Sequence, residues 1–231
     1  MQYPEDNKLD NPVWHSLSET HCKFSVDYDN IKFYLPDYCL FGGFRLSQNN
    51  IDPINNYSQH AENFYLVGEQ PVLPKNLNIK KDLVCLQMVA ESKIEGAPKD
   101  QITKLSIEDA SKVFQLVNTV QPGYFRSKTF FLGDYWGIFE DGKLIAVTGE
   151  RMKMDRFTEL SAIVTHPNHT GKGYAKQLIA HTVNNIFDQN KTPFLHVVDT
   201  NIGAITLYEK LGFKTRRKIS FWNVTTDYAG I

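Results

Sequence analysis

Cysteine is scarce in this sequence of 231 residues, which holds only Cys22, Cys39 and Cys85. Their number is odd and no two of them have a Cys-x-x-Cys spacing, which argues against a disulfide framework and a cysteine-ligated zinc site. Reduced thiols in a cytoplasmic protein are therefore expected.

The chain also lacks an apolar run of the roughly 18 residues that cross a bilayer, and residues 1–11 are polar and acidic, unlike a signal peptide. Lysine and arginine (25) balance aspartate and glutamate (26), which leaves a net charge of −1. Such a charge gives no field for holding nucleic acid or an anionic membrane. Hydrophobic residues at 42% and aromatic residues at 13% predict a globular protein with a real core.

A glycine-rich turn stands between a predicted strand and a predicted helix. The strand is residues 158–165, the turn is Gly-Lys-Gly at 171–173, and the helix follows from an apolar face at three- and four-residue steps: Ala175, Leu178, Ile179, Val183, Ile186 and Phe187. Backbone N–H groups at the positive end of a helix dipole bind anions, and glycine lets the backbone approach a ligand closely. The segment predicts a phosphate site.

Two common glycine loops do not fit this turn. A Walker loop requires Ser or Thr after its lysine, whereas Gly173 follows Lys172. A dinucleotide fingerprint requires a third small residue, and Lys176 occupies that position.

A third loop fits well. Residues 166–175 resemble the pyrophosphate loop of the GNAT N-acetyltransferase superfamily, Arg/Gln-x-x-Gly-x-Gly/Ala, with Thr170 standing where Arg or Gln is usual. Downstream, residues 201–213 are similar to the superfamily's Asn-x-x-Ala-x-x-Leu-Tyr-x-x-x-Gly-Phe segment. The resemblance covers roughly residues 100–222 and is strongest to the subgroup of glycine N-acyltransferase C-terminal domains.

The resemblance implies an α/β GNAT fold, a mixed splayed sheet flanked by helices, over residues 98–231. The residue pattern reaches the same element order independently. It predicts a helix that Ser106 and Asp109 cap, with Ile107 and Phe114 on its apolar face. The other predicted elements are a hairpin of 135–139 and 144–148 turning at Asp141-Gly142, strands 158–165, 194–199 and 214–224, and helices 173–187 and 203–211.

Residues 1–97 show fewer clear strand and helix patterns. Strands are predicted at 64–67 and 83–89, and residues 93–99 are typical of a linker. We expect an N-terminal lobe that is a divergent half of the same fold, with an unrelated cap as the alternative.

The resemblance implies acetyl-CoA as cosubstrate and assigns its contacts. The loop would bind the pyrophosphate through Thr170, Gly171, Lys172, Gly173, Tyr174 and Ala175. A backbone N–H near Val164 would polarise the thioester, Ile163 and Thr165 would flank the pantetheine arm, and Asn201 and Ala204 would contact it unless Asn201 only caps its helix. The basic residues at 214–218 either assist at the phosphates or form a solvated strand.

Acyl transfer to an amine also requires an acid and a base. Tyr208 is the predicted acid for the leaving thiolate, with core packing as the alternative. Glu159 is the predicted base, because it would share a strand face with Ser161 and Ile163; a surface carboxylate is the alternative, and Glu150 and His196 are rivals. The resemblance implies an acceptor pocket near the aromatic residues Tyr124, Phe125, Phe130, Phe131, Tyr135 and Trp136, with hairpin and core packing as the favoured alternative.

The sequence therefore predicts a cytoplasmic N-acetyltransferase that transfers acetyl from acetyl-CoA directly to a primary amine in a ternary complex. The expected acceptor is an amino acid, another small molecule or a peptide N-terminus. No covalent intermediate is expected, because no cysteine falls in the predicted site. A non-catalytic acyl-CoA sensor is the alternative. His166 and His169 lack further ligands at a suitable spacing, so no metal is expected, and neither nucleic acid nor a membrane is an expected partner.

Overall fold

The computed structural model describes residues 8–45, 50–96 and 98–226. Residues 1–7, which belong to the polar N-terminal segment, and residue 97, at the predicted domain boundary, lie outside them. The first half of the chain contains α1 Pro12–Ser18, β1 Ser25–Tyr28, β2 Ile31–Tyr34, β3 Phe41–Phe44, α2 Ile51–Ser58, β4 Asn63–Gly68 and β5 Leu77–Ala90.

The second half alternates strands and helices, as the pattern predicted. Its elements are β6 Thr103–Lys104, α3 Ala110–Val120, β7 Tyr135–Glu140, β8 Lys143–Lys153, β9 Phe157–Thr165, α4 Tyr174–Asp188, β10 Thr192–Val198, α5 Ile202–Lys210 and β11 Phe213–Thr226.

The strands form one eleven-stranded sheet in the order β1-β2-β3-β4-β11-β5-β10-β9-β8-β7-β6. The two long central strands, β5 and β11, pair antiparallel from Phe213↔Ala90 to Thr226↔Leu77. Each also pairs with a strand from the other half of the chain, β5 with β10 and β11 with β4. The two halves are therefore joined by exchanged strands rather than by side-chain packing alone.

The two halves of the sheet share a local topology. In the first half, parallel strands β3 and β4 are linked through α2; in the second, parallel strands β9 and β10 are linked through α4. Parallel neighbours need such a crossover, usually a helix. Side chains of adjacent residues point to opposite faces, and Tyr135 packs on α3 whereas Trp136 packs on α4. Hence α3 covers the sheet face opposite to α4.

The predicted hairpin is confirmed, and Asp141 and Gly142 take the positive φ angles, 50° and 74°, that a tight hairpin turn requires. The predicted apolar face of α3 is partly wrong, because Ile107 is 55% and Phe114 40% exposed. Residues 107–109 form a 3-10 turn before α3. Its tighter winding rotates Ile107 out of the helical phase, and Leu116 is buried instead. Elements α1, β1, β2, β3 and α2 were not predicted.

Candidate active site

The central feature of the site is a gap between two parallel strands. Strands β9 and β10 pair only from Phe157↔Thr192 to Glu159↔Phe194; we call this last pair the vertex. Beyond it the strands diverge, and on the other edge of β9 the register with β8 shifts around Ala162, whose φ is 51°. A bulge of this kind bends a strand and disrupts its ladder.

The bulge overturns one sequence prediction. Ile163 packs in the same cluster as Leu160, with α4 and α5, although the two residues are three positions apart. In a regular strand these two side chains would point to opposite faces. Ile163 therefore does not share the face of Glu159, because the positive φ of Ala162 inverts the alternation.

A cavity of about 350 Å³ fills the gap. Its lining includes Leu160, Leu195 and Tyr208, which belong to the cluster under α4 and α5. It also includes Phe41 and Phe221, which belong to the cluster under α1 on the opposite face. The cavity thus passes through the sheet, and residues that follow α3, among them Tyr124 and Phe125, also line it.

The glycine loop lies where β9 leads into α4. Gly171 and Gly173 have φ angles of 77° and 82°, and a Cβ built on either would meet open space. Among the described residues, none accepts a hydrogen bond from the backbone N–H groups of residues 170–176. Exposed, unpaired N–H groups at a helix N-terminus fit a diphosphate.

Side chains around the loop modify its charge. Lys172 Nζ lies 3.3 Å and His169 Nδ1 2.8 Å from the carboxylate of Glu140. The hydroxyl of Thr170 donates to the carbonyl of Pro167 over 3.1 Å, so this side chain braces the loop. The basic residues after α5 are engaged elsewhere, each in an ion pair with Glu91, Asp10 or Asp199: Lys214, Arg216, Arg217 and Lys218.

The predicted cofactor residues divide into two groups. Ile163 and Asn201 line the cavity, whereas Val164, Thr165 and Ala204 do not. Val164 is buried against α3. The side chain of Asn201 accepts a hydrogen bond from the Ala204 N–H over 3.2 Å, which is the helix cap that the sequence left as an alternative.

Tyr208 lines the cavity from the α5 side. Its side chain contacts Phe213, with ring centroids 5.9 Å apart, and its hydroxyl has no hydrogen-bond partner in the described part of the chain. Burial raises the pKa of Tyr208 to about 12. A buried phenol that stays protonated is suited to donate a proton into the cavity.

Glu159 stands at the vertex and is fully buried. Arg151 donates two hydrogen bonds to its carboxylate, from Nε to Oε2 and from Nη2 to Oε1, both 2.8 Å long. His196 Nδ1 lies 2.8 Å from Oε1. Burial alone would raise the pKa of Glu159, but the charge and hydrogen bonds of Arg151, with the hydrogen bond of His196, lower it to about 2. Its carboxylate does not line the cavity.

These residues belong to a longer row that we call the polar belt: Arg151, Glu159, His196, Gln87 and Arg216. They stand on five adjacent strands, β8, β9, β10, β5 and β11. The Gln87 amide donates to the carbonyl of Leu9 over 2.8 Å, lies 3.1 Å from His196 Nε2, and accepts from Arg216 over 3.1 Å. His196 Nε2 must then be the acceptor and Nδ1 the donor to Glu159. Both ring nitrogens are engaged.

Cys85 also lines the cavity, which corrects the expectation that no cysteine falls in the site. Its thiol is buried, and burial raises its pKa to about 12. The thiolate is the nucleophilic form of cysteine, so this thiol is poorly suited to carry an acyl group at neutral pH.

Sequence reasoning missed Arg151 and Gln87, and ranked His196 below Glu159. The available signal was a charged residue inside an otherwise buried strand, because Arg151 follows Glu150 in the middle of β8. Of the predicted aromatic residues, Tyr124 and Phe125 line the cavity, Phe130 stacks on Tyr135 in the core, Phe131 is exposed, and Trp136 packs near α4.

Within the described ranges, no group of three His, Cys, Asp or Glu side chains is placed to hold a metal ion. The helices of those same ranges include none with the length and apolar character needed to cross a membrane.

Comparison with known proteins shows which families and structures this chain resembles. Residues 135–222 match the model of the FR47-like protein family. A crystal structure from Novosphingobium aromaticivorans, described as a GNAT-family acetyltransferase, superposes with a TM-score of 0.86 at 28% identity over 95% of this chain and 98% of that one. Comparison with curated proteins found no significant match.

Two more distant structures show the same fold. A GCN5-related N-acetyltransferase from Kribbella flavida gives a TM-score of 0.64 at 13% identity, over 98% of this chain and 97% of that one. A GCN5-related N-acetyltransferase-like protein from Streptococcus suis gives 0.61 at 12% identity, over 95% and 97%. The glycine N-acyltransferase subgroup stays a prediction. The predicted fold class is confirmed: the chain has the mixed α/β fold of the GNAT acetyltransferases. The FR47-like match and the Novosphingobium structure support an acyltransferase activity.

Proposed function

We propose that this protein is an N-acetyltransferase that moves an acetyl group from acetyl-CoA to a primary amine by direct transfer in a ternary complex. The observation that carries the proposal is the cavity through the sheet. It joins the face that holds Tyr208 and the glycine loop to the opposite face, where Arg151 and Phe41 lie. A donor and an acceptor can therefore meet in the gap from opposite sides.

The glycine loop would anchor the diphosphate of CoA. Its unpaired N–H groups at residues 170–176, and the open space beside Gly171 and Gly173, provide the contacts. Lys172 would turn from Glu140 to the phosphates, because a doubly charged diphosphate competes well with one exposed carboxylate. These backbone N–H contacts do not require the Arg or Gln side chain that is usual at the position of Thr170.

The residues beside the gap would assist the transfer. When bound, acetyl-CoA supplies a thioester carbonyl that the amine attacks, and its sulfur leaves. The strand segment from Ser161 to Ile163 lines the cavity and is better placed than Val164 to offer a backbone N–H to the carbonyl oxygen. Tyr208 would donate its proton to the departing sulfur, whose pKa in water is about 8.5. The proton that the nitrogen loses as the amide forms would return through water to the Tyr208 phenolate, so that no net proton is gained or lost in the transfer itself.

The geometry favours a positioning role for Glu159 over direct proton removal. Its carboxylate is buried behind Arg151 and His196, and the described residues that line the cavity include neither aspartate nor glutamate. His196 has no free lone pair, since Gln87 donates to its Nε2. We propose that the amine loses its proton to water and enters neutral, because burial beside the Arg151 cation disfavours an ammonium group.

The function is tested by following CoA release from acetyl-CoA with a panel of primary amines, and CoA binding by calorimetry. We expect turnover with at least one amine, and a log rate that rises with pH up to the pKa of that amine. A pH dependence of kcat/KM that comes from the protein and is absent in His196→Gln would show that His196 is the base. Tight CoA binding without turnover of any amine would favour the acyl-CoA sensor.

The N-terminal lobe fits the same scheme. We propose that it is a divergent half of the GNAT fold, because its β3-α2-β4 unit repeats the parallel β9-α4-β10 unit. In addition, β5 of the first half pairs with β10 of the second, and β11 of the second half pairs with β4 of the first. In this arrangement the lobe contributes Phe41, Leu83 and Cys85 to the wall of the cavity. The acceptor side of the site would then depend on the lobe.

A further inference from the structure

The cavity carries an uneven charge. Of the lining residues in the described part of the chain, Arg151 is the one lysine or arginine, and none is an aspartate or glutamate. Its partner Glu159 is fully buried behind it, whereas the side chain of Arg151 retains 13% exposure. An anionic group that enters the cavity can therefore contact the Arg151 guanidinium directly, whereas the Glu159 carboxylate lies behind that guanidinium and out of contact.

Arg151 also keeps unused hydrogen-bond donors. Nε and Nη2 are committed to Glu159, but the other terminal nitrogen, Nη1, has no hydrogen-bond partner among the described residues. The guanidinium packs over Phe41, with Cζ 4.6 Å from the ring centroid, which fixes its plane. A guanidinium that is oriented in this way is suited to bind a second carboxylate through its free edge.

The position of Arg151 sets where such a carboxylate would lie. Glu159, which Arg151 grips, is the last residue of β9 paired with β10, so the guanidinium stands beside the opening of the gap. An amine separated from the carboxylate by one carbon would then project toward the gap. Phe41, Leu83 and Phe221 give this side of the cavity an apolar and aromatic wall, beside the thiol of Cys85 and the ring of His196, whose two nitrogens are already engaged.

We propose that the acceptor is an α-amino acid with an apolar side chain, and that its carboxylate binds Nη1 of Arg151. The inference rests on the proposed acetyl transfer and names its substrate class. Polyamines and lysine side chains are poor acceptors on this reasoning, because no carboxylate in the lining balances a second positive charge. A peptide N-terminus lacks the carboxylate beside its amine.

The test compares matched acceptors on the full-length protein: L-phenylalanine, L-phenylalaninamide and 2-phenylethylamine, with the corresponding leucine set. Rates of CoA release are expressed per neutral amine, because the three amines differ in pKa. A charge-assisted hydrogen bond is worth about 10- to 100-fold, so we expect kcat/KM to fall by about that factor when the carboxylate is replaced or removed. As a check without turnover, 3-phenylpropionate should inhibit at a lower concentration than 3-phenylpropanamide.

Arg151→Lys keeps the charge beside Glu159 but loses the planar fork, and should abolish most of the preference. Arg217→Lys, an exposed arginine outside the cavity, is the matched control and should retain it. Turnover without a carboxylate preference would overturn the inference and leave the acetyltransferase function standing. A preference that persists in folded Arg151→Lys would overturn the role of Arg151. If that variant does not fold, the acceptor sets and the inhibitor pair on the wild-type protein decide. No turnover of any amine would overturn both proposals.

Discussion

Replacing Glu159 by glutamine should destabilise the protein markedly at neutral pH. The pKa of Glu159 falls from an ordinary value of 4.5 to about 2 in the folded chain. That difference corresponds to about 3 kcal/mol of stability at pH 7, comparable to the roughly 3–5 kcal/mol lost when one partner of a buried ion pair is removed. Urea unfolding of the wild type and Glu159→Gln would measure it.

The pH dependence of this difference has a definite sign. A carboxyl group whose pKa is lowered by folding stabilises the protein fully above its unfolded pKa, near 4.5, and loses that effect as the pH falls toward 2. At pH 3 the contribution should be about 1 kcal/mol. The stability gap between wild type and Glu159→Gln should therefore narrow by about 2 kcal/mol from pH 7 to pH 3.

Two control variants distinguish loss of the buried ion pair from a general loss of stability on replacing any carboxylate. Glu140 is a partly exposed carboxylate on β7, so Glu140→Gln should change stability by less than about 1 kcal/mol. The double variant Arg151→Met/Glu159→Gln should be more stable than Arg151→Met, because it leaves no uncompensated buried charge. The reasoning about the buried ion pair would be refuted if the free energies of unfolding of wild type and Glu159→Gln differed by less than about 1 kcal/mol at pH 7. A difference that stayed constant down to pH 3 would refute it as well.

Three further outcomes are expected. Tyr208→Phe should lower kcat at least tenfold while CoA binding, measured by calorimetry, is retained; unchanged turnover would remove its role as acid. Gly173→Ala should weaken CoA binding at least tenfold and cost about 1 kcal/mol, because its φ is 82° and a Cβ would enter the ligand space. Gly212→Ala, at φ 88° beyond α5, should carry a similar stability cost with normal CoA binding; equal binding losses in both would contradict the loop assignment. Residues 98–231 expressed alone should fail to fold, because β5 lies between β10 and β11, and co-expression with residues 1–97 should restore soluble protein; a stable isolated fragment would show that the exchange is dispensable.

The sequence determined the features that depend on neighbouring residues. The glycine loop, the Asp141-Gly142 hairpin and the alternation of strands and helices after residue 100 could be predicted, because their backbone chemistry is contained in short segments. The proposed cofactor loop and the proposed acid Tyr208 followed from the resemblance of such segments to GNAT motifs. The predicted helices after residue 100 lie within a few residues of their predicted bounds, whereas β5 and β8 extend five or six residues beyond theirs.

Only the tertiary structure decided the environment of Glu159 and of the cavity beside it. Glu159 looked like an accessible strand carboxylate, but its partners include His196, 37 positions away, and His196 in turn meets Gln87, 109 positions away. The bulge at Ala162 and the exchange of β5 and β11 likewise arise from pairing between distant strands. The protonation and accessibility of a buried group depend on charges brought close in space, which residue spacing along the chain does not encode.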